Sequence, residues 1–283
     1  MRCSVRSAVG SRTPLFRKHY ALPGEHGAWI WWIGPLVIGV AAGGSLSADV
    51  ALLGLGAIAI FLLRQPATIA VKALSGRRPK SDLLPALAWA AGYAAVSALS
   101  LGALVGRGYT EILWLGIPGA IVFGWHLLLV SRREERGQMG VELVGAGVLA
   151  LAAPAGYWVA GGGPGTDAWI LWAITWLQSA ASIVLVYLRL KQRRLEQMPE
   201  KRERWRMGAR ALAYHVFNVV LSGALVLLAR VPWAVPLAFS LMLVDALDGI
   251  AHPPVGFRPA RIGLRQLGAS ILFVLIVAGG YAL

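Results

Sequence analysis

The chain has 283 residues, 57% of them hydrophobic and 14% charged, against roughly 25% charged residues in an ordinary soluble domain. With a mean hydropathy of +0.64, the net charge of +14 does not describe a solvated basic domain built for nucleic acid; it describes basic connections between membrane spans. Cys3 is the single cysteine, which leaves no disulfide framework and no Cys-based zinc or iron–sulfur spacing.

Residues 1–22 form a basic tail without an acidic residue and rich in Arg and Ser. That composition is shared by organellar transit peptides and by flexible tails retained on the positive side of a membrane. From residue 23 to 283 a single transmembrane domain is expected. It opens on "PGEHGAWIWW", residues 23–32. Pro23-Gly24 turns the chain, and Trp29, Trp31 and Trp32 suit an interface. Glu25 is tolerated at a helix start by the dipole, whereas nothing in helix physics asks for His26 beside it.

Nine apolar runs follow, at approximately 28–44, 48–63, 83–105, 111–130, 141–160, 168–188, 211–229, 232–250 and 264–283. Each is near the roughly 20 residues a helix needs to cross a bilayer. Runs this long and continuous mean helices, since open backbone in lipid leaves amides unsatisfied. The predicted fold class is therefore all-α, a polytopic membrane bundle of about nine helices. The longest connection, Arg189 to Arg206, reads as a helical extension broken near Pro199 and lying against lipid head groups.

Charge orders these spans. One alternating set of connections holds every one of the 27 Lys and Arg residues except Arg107 and Arg230. Because basic residues near span ends are retained in the cytoplasm, this predicts the N-terminus inside and the C-terminus outside. The expected partner of the basic loops is a bilayer with anionic head groups, not nucleic acid.

Orientation makes depth readable. His19, His26, His126, His215 and His252 all fall toward the basic side, as do Glu25, Arg64, Gln65, Glu142, Tyr187, Arg189, Tyr214, Asn218, Asp245, Asp248 and Gln266. Gln178, Ser179 and Ser182 lie deeper, near mid-span. A polar side chain inside a span costs a few kcal/mol unless it is paired or faces water, so these groups mark a polar pocket open to the cytoplasmic face. Arg64 is equally placed to snorkel to head groups. Asp245 and Asp248, spaced i, i+3 and so on one helical face, suit either a Mg²⁺-held diphosphate or neutralisation by Arg258 or Arg261. His26, His126 and His215 lie on separate spans without a ligand motif, and no metal site is assigned to them. The many tryptophans near span ends read as an interfacial belt, and the Gly and Ala of the first, second and fifth spans as close helix contacts.

"PGEHGAW" before the first span, "FLLRQPATIAVK" after the second, "YLRLKQRR" after the sixth and "RIGLRQ" before the last resemble the YwiC-like family of bacterial membrane proteins, across roughly residues 20–283. The resemblance implies a multi-pass protein of the bacterial cytoplasmic membrane and no particular reaction or cofactor. Nine helices with a polar layer on the cytoplasmic side are also similar to the UbiA prenyltransferase superfamily. Its Asp-rich motifs are replaced here by the basic "RQPATIAVKALSGRRPKSD" and "YLRLKQRRLEQ", so the likeness implies a related scaffold with altered chemistry.

The functional expectation is a pocket that binds or modifies an amphiphilic or phosphorylated lipid. Glu25 and His26 are the candidate acid or base, and Arg64, Gln65, His126, Gln178, Arg189, His215 and Asn218 the candidate binding residues. Two alternatives stand beside it: a small-solute or proton-coupled transporter, and a membrane partner subunit docking through the arm at 189–210.

Overall fold

A computed structural model describes residues 18–22, 29–134 and 137–283. Glu25 and His26 lie outside the described residues. Eleven helices are described: α1 (Lys18–Ala21), α2 (Ile30–Gly43), α3 (Ala48–Leu74), α4 (Leu83–Gly106), α5 (Ile112–Arg132), α6 (Met139–Leu149), α7 (Ala152–Tyr157), α8 (Thr166–Gln192), α9 (Lys201–Leu227), α10 (Ala234–Ala251) and α11 (Pro259–Ala282). No strand occurs among the described residues. Among the described residues eight segments are long and apolar enough to cross a membrane, with α6 and α7 counted as one span, and α2 is a shorter apolar helix of 14 residues.

Two helices run further than their apolar stretches. α3 is capped by Ser47, whose Oγ accepts from the Val50 N–H at 3.3 Å, and it continues past Arg64 and Pro66 to Leu74. The expected end at residue 63 was set by charge, and a charged residue ends an apolar run without ending a helix. α9 begins at Lys201, ten residues before its apolar part, just beyond the expected break at Pro199. The basic arm is thus divided between the last turn of α8, the connection 193–200 and the first turns of α9.

The fifth span is broken. Pro154 has no N–H to offer the carbonyl four residues back, so α6 stops at Leu149 and α7 restarts at Ala152. After α7, Trp158–Gly162 widens into a π turn that contains Gly161 at φ 108°. Against this irregular segment lies α2. A Cβ on Gly39 would stand 2.0 Å from the Ala153 carbonyl oxygen, and one on Gly43 would stand 2.5 Å from the Ala160 Cβ. The spacing Gly39-x-x-x-Gly43 is what allows two backbones to approach this closely in lipid.

α8 is the hub, with 61% of its apolar window buried against 17% for the windows in α4 and α5. It packs on α6, α7, α9 and α11, while α9 pairs with α10, and α11 with α2 and α10. α3, α4 and α5 form a second group, α3 pairing with both of the others. Trp172 and Trp176 of α8 donate to the Gly147 and Leu143 carbonyls of α6 at 2.9 Å each. These two indoles tie α8 to α6, and Trp32 and Trp158 are buried among the helices.

One apolar core joins Ile38 of α2, Ala153 of α7, Leu171 and Ile174 of α8, Val235, Phe239 and Met242 of α10, and Phe273 and Val277 of α11. All of the α8, α10 and α11 members lie in the half of the bundle away from the basic loops. The other half of the bundle holds a second, smaller apolar cluster, Val184, Leu185, Leu188, Ala211, Ala246 and Ile250, and beside it a run of buried polar side chains.

Candidate functional site: a buried polar column under a basic mouth

Helical spacing lines up the polar residues of α8. Thr175, Gln178, Ser182 and Arg189 recur at three, four and seven residues, which keeps them on one face, and all four are buried. α9 repeats the pattern with His215, Asn218 and Ser222, also buried. α11 contributes Gln266 and Ser270, α10 contributes Asp245 and Asp248, and His252 caps the C-terminal end of α10.

The geometry joins these stripes into a column. Gln178, near the middle of the 27-residue α8, donates from Nε2 to Ser182 Oγ at 3.1 Å and to Ser270 Oγ at 3.3 Å. Gln266 Nε2 donates to the same Ser182 Oγ at 2.9 Å, and its Oε1 accepts from Arg189 Nη1 at 3.5 Å. Arg189, 2% exposed, donates from Nη2 to Asp245 Oδ2 and to the Asp245 carbonyl, both at 2.9 Å. Arg265 grips the other oxygen of that carboxylate, Nε to Oδ1 at 2.7 Å, and reaches Asp248 Oδ2 at 2.5 Å. His252 Nδ1 closes the chain on Asp248 Oδ1 at 2.9 Å. The two aspartates are therefore neutralised by Arg189 and Arg265, not by Arg258 or Arg261, because residue 265 is one turn deeper on α11 and level with them.

Gly249 leaves room for this arrangement, since a Cβ there would stand 2.9 Å from Arg189 Nε. His215 lies within electrostatic reach of Arg189 and Asp245. Its Nδ1 is 2.8 Å from the Ala211 carbonyl oxygen, so that nitrogen carries the hydrogen and Nε2 keeps the lone pair in the neutral ring. Asn218 donates to the Leu177 carbonyl at 3.1 Å; its own Oδ1 is buried with no hydrogen-bond partner among the described residues. Gln192, 0% exposed, leaves both amide atoms in the same state.

At the basic end of the column the chain forms a mouth. The Gly256 N–H donates to the Arg193 carbonyl at 3.1 Å, and Arg193 Nε donates to the Phe257 carbonyl at 3.0 Å. The guanidinium of Arg261 lies over the Phe257 ring, 4.3 Å from its centroid. On the opposite face, a recess of about 470 Å³ is lined by Val226, Ala229, Arg230, Val231, Pro232 and Trp233.

Of the candidate binding residues, Gln178, Arg189, His215 and Asn218 meet on α8 and α9 around this column. Arg64, Gln65 and His126 do not join them. They sit on α3 and α5, half-buried, in the other helix group, and Gln65 Nε2 donates to the His19 carbonyl at 3.1 Å. The residues a linear reading undervalued are Asp245, Arg265, Gln266 and Ser270. The buried i, i+4 spacing of Gln266 and Ser270 on α11 was the signal for two of them. Among the described residues no group of three His, Cys, Asp or Glu side chains is placed to hold a metal ion.

Apolar helices long enough to span, lipid-sized apolar side chains on the outside of the bundle and charge confined to paired positions inside define a multi-pass α-helical membrane protein. Residues 22–157 match the family model for YwiC-like proteins, so the sequence resemblance is shown over that part of the chain. No curated protein and no solved structure matches the chain.

Proposed function

We propose that the chain is a YwiC-like protein of the bacterial cytoplasmic membrane along its whole length, and that it binds an anionic amphiphile at its cytoplasmic, basic face. The buried Arg189 carries this reading. A guanidinium inside a span is costly to keep, and here it is retained under a mouth of further arginines, at one end of a column that an apolar core closes toward the other face. A UbiA-like scaffold without its Asp-rich, metal-holding motifs fits the same reading. Were the bound lipid chemically altered, Glu25 and His26 would supply the acid or base.

The test is mass spectrometry of lipids that stay with the full chain after extraction in mild detergent. An anionic lipid enriched over its share of the host membrane supports the reading; a retained set with bulk composition sinks it. His26→Ala that keeps lipid retention but abolishes complementation of a deletion strain would assign the histidine to chemistry, and unchanged complementation would remove it from the site.

A proton or solute path is the second reading, favoured by the hydrogen-bonded column from His252 to Ser270. Flux in proteoliposomes that Gln178→Ala abolishes would put transport first.

A further inference from the structure

We propose that Arg193, Phe257 and Arg261, at the start of α11, form a clamp for a phosphate ester headgroup. This inference rests on the anionic-amphiphile reading and narrows it to one chemical group and one place.

Both arginines are held by a single residue. Arg193 donates from Nε to the Phe257 carbonyl, which orients its guanidinium, and its own carbonyl accepts from the Gly256 N–H. Its two Nη groups have no partner among the described residues. Arg261 is stacked on the Phe257 ring; stacking uses the face of a guanidinium and leaves its in-plane fork of N–H donors available, the geometry that matches phosphate oxygens. Two forks are thus presented around one exposed aromatic.

Arg193 shares its connection with Glu196 and Glu200, and no ion pair joins them among the described residues. The carboxylates of α10, Asp245 and Asp248, are taken by Arg189, Arg265 and His252. Among the described residues Arg193, Arg194, Arg258 and Arg261 form no ion pair. Arg258 occupies the N-cap position of α11 without a side-chain cap bond, and the first turn holds no acidic residue. Arginines at the positive end of a helix dipole repel it and each other, and an anion relieves both. Phe257 sits on the basic loop that joins two spans, where head-group phosphates lie.

The experiment is native mass spectrometry of the full chain in detergent, titrated in separate arms with phosphatidic acid, phosphatidylglycerol, phosphatidylcholine and inorganic phosphate. The clamp predicts that Arg193→Gln/Arg261→Gln lowers the affinity for the anionic lipids about tenfold, as expected for two lost charge-assisted forks. The control Arg206→Gln/Arg210→Gln removes the same charge from the same face and should change it less than about threefold. Because Arg193 also pins the loop, Arg261→Gln alone is included; it leaves the backbone contacts in place and should retain part of the loss. Equal losses in the clamp and control variants, or no loss in either clamp variant, overturn the clamp while leaving the broader reading intact. A wild-type chain that does not prefer anionic lipid to phosphatidylcholine overturns that broader reading. Saturable inorganic phosphate binding, lost in Arg193→Gln/Arg261→Gln, would support the clamp with free phosphate as its source.

Discussion

Arg189 and Asp245, 56 residues apart in the chain, are joined inside the bundle by a charged contact and a carbonyl contact from the same nitrogen, each 2.9 Å long. The guanidinium is sealed from solvent, while the carboxylate is shared with Arg265, which is open to the basic face. This pair couples α8 to α10 and, through Arg265 and Gln266, to α11.

Asp245→Ala should therefore be costly, because it strands a buried cation. Breaking one side of such a pair is worth about 3–5 kcal/mol, whereas replacing both partners by apolar groups of similar volume is far milder. Unfolding in mixed micelles of Asp245→Ala and of Arg189→Met/Asp245→Leu should rank the single variant as the less stable; the reverse order would mean that the pair is not buried.

Gly39→Ala should undock α2 from α7, since the new methyl would meet the Ala153 carbonyl oxygen at 2.0 Å and backbone cannot step aside cheaply. A loss of about 1–3 kcal/mol or more is expected. Gly54→Ala, where nothing lies within 4 Å, is the matched control and should melt within a degree or two of wild type. Thermal unfolding followed by tryptophan fluorescence distinguishes them.

Trp176→Phe should cost about 1 kcal/mol by removing the indole bond to the Leu143 carbonyl, and Tyr187→Phe a similar amount by removing the 2.8 Å bond to Glu142. Both bonds tie α8 to α6, so limited proteolysis should first reach the 133–138 connection. Unchanged proteolysis in both variants would show that apolar packing alone holds α6 in place.

Asn218→Leu should be neutral or stabilising. The substitution removes a buried Oδ1 that has no partner among the described residues, and the Leu177 carbonyl keeps its place in the helix ladder of α8. A stable variant that loses lipid retention would mark Asn218 as a binding residue; a variant destabilised by more than about 2 kcal/mol would show that Oδ1 is satisfied in the membrane.

Much was legible before any coordinates. Apolar run length and the alternation of Lys and Arg follow from the cost of exposing backbone and charge to lipid, and each is a property of local sequence. The polar stripes were half legible: Gln178, Ser182 and Arg189 share a face by spacing alone, and so do His215 and Asn218. Arg64 and His126 look equivalent to Arg189 and His215 by depth, yet α3 and α5 belong to the other helix group. Depth is one coordinate, and lateral position is set by which helices touch.

Sequence alone thus determined that the protein is a multi-pass helical bundle with its charge on one face. Only the tertiary structure decided that Asp245 neutralises Arg189, that Arg265 rather than Arg258 or Arg261 completes the pair, and that Arg193 bonds the Phe257 carbonyl while Arg261 lies over the Phe257 ring. The physical reason is that helix association in lipid is driven by close contacts between segments distant in the chain, such as Gly39 on Ala153, and periodicity within one helix carries no record of its partner.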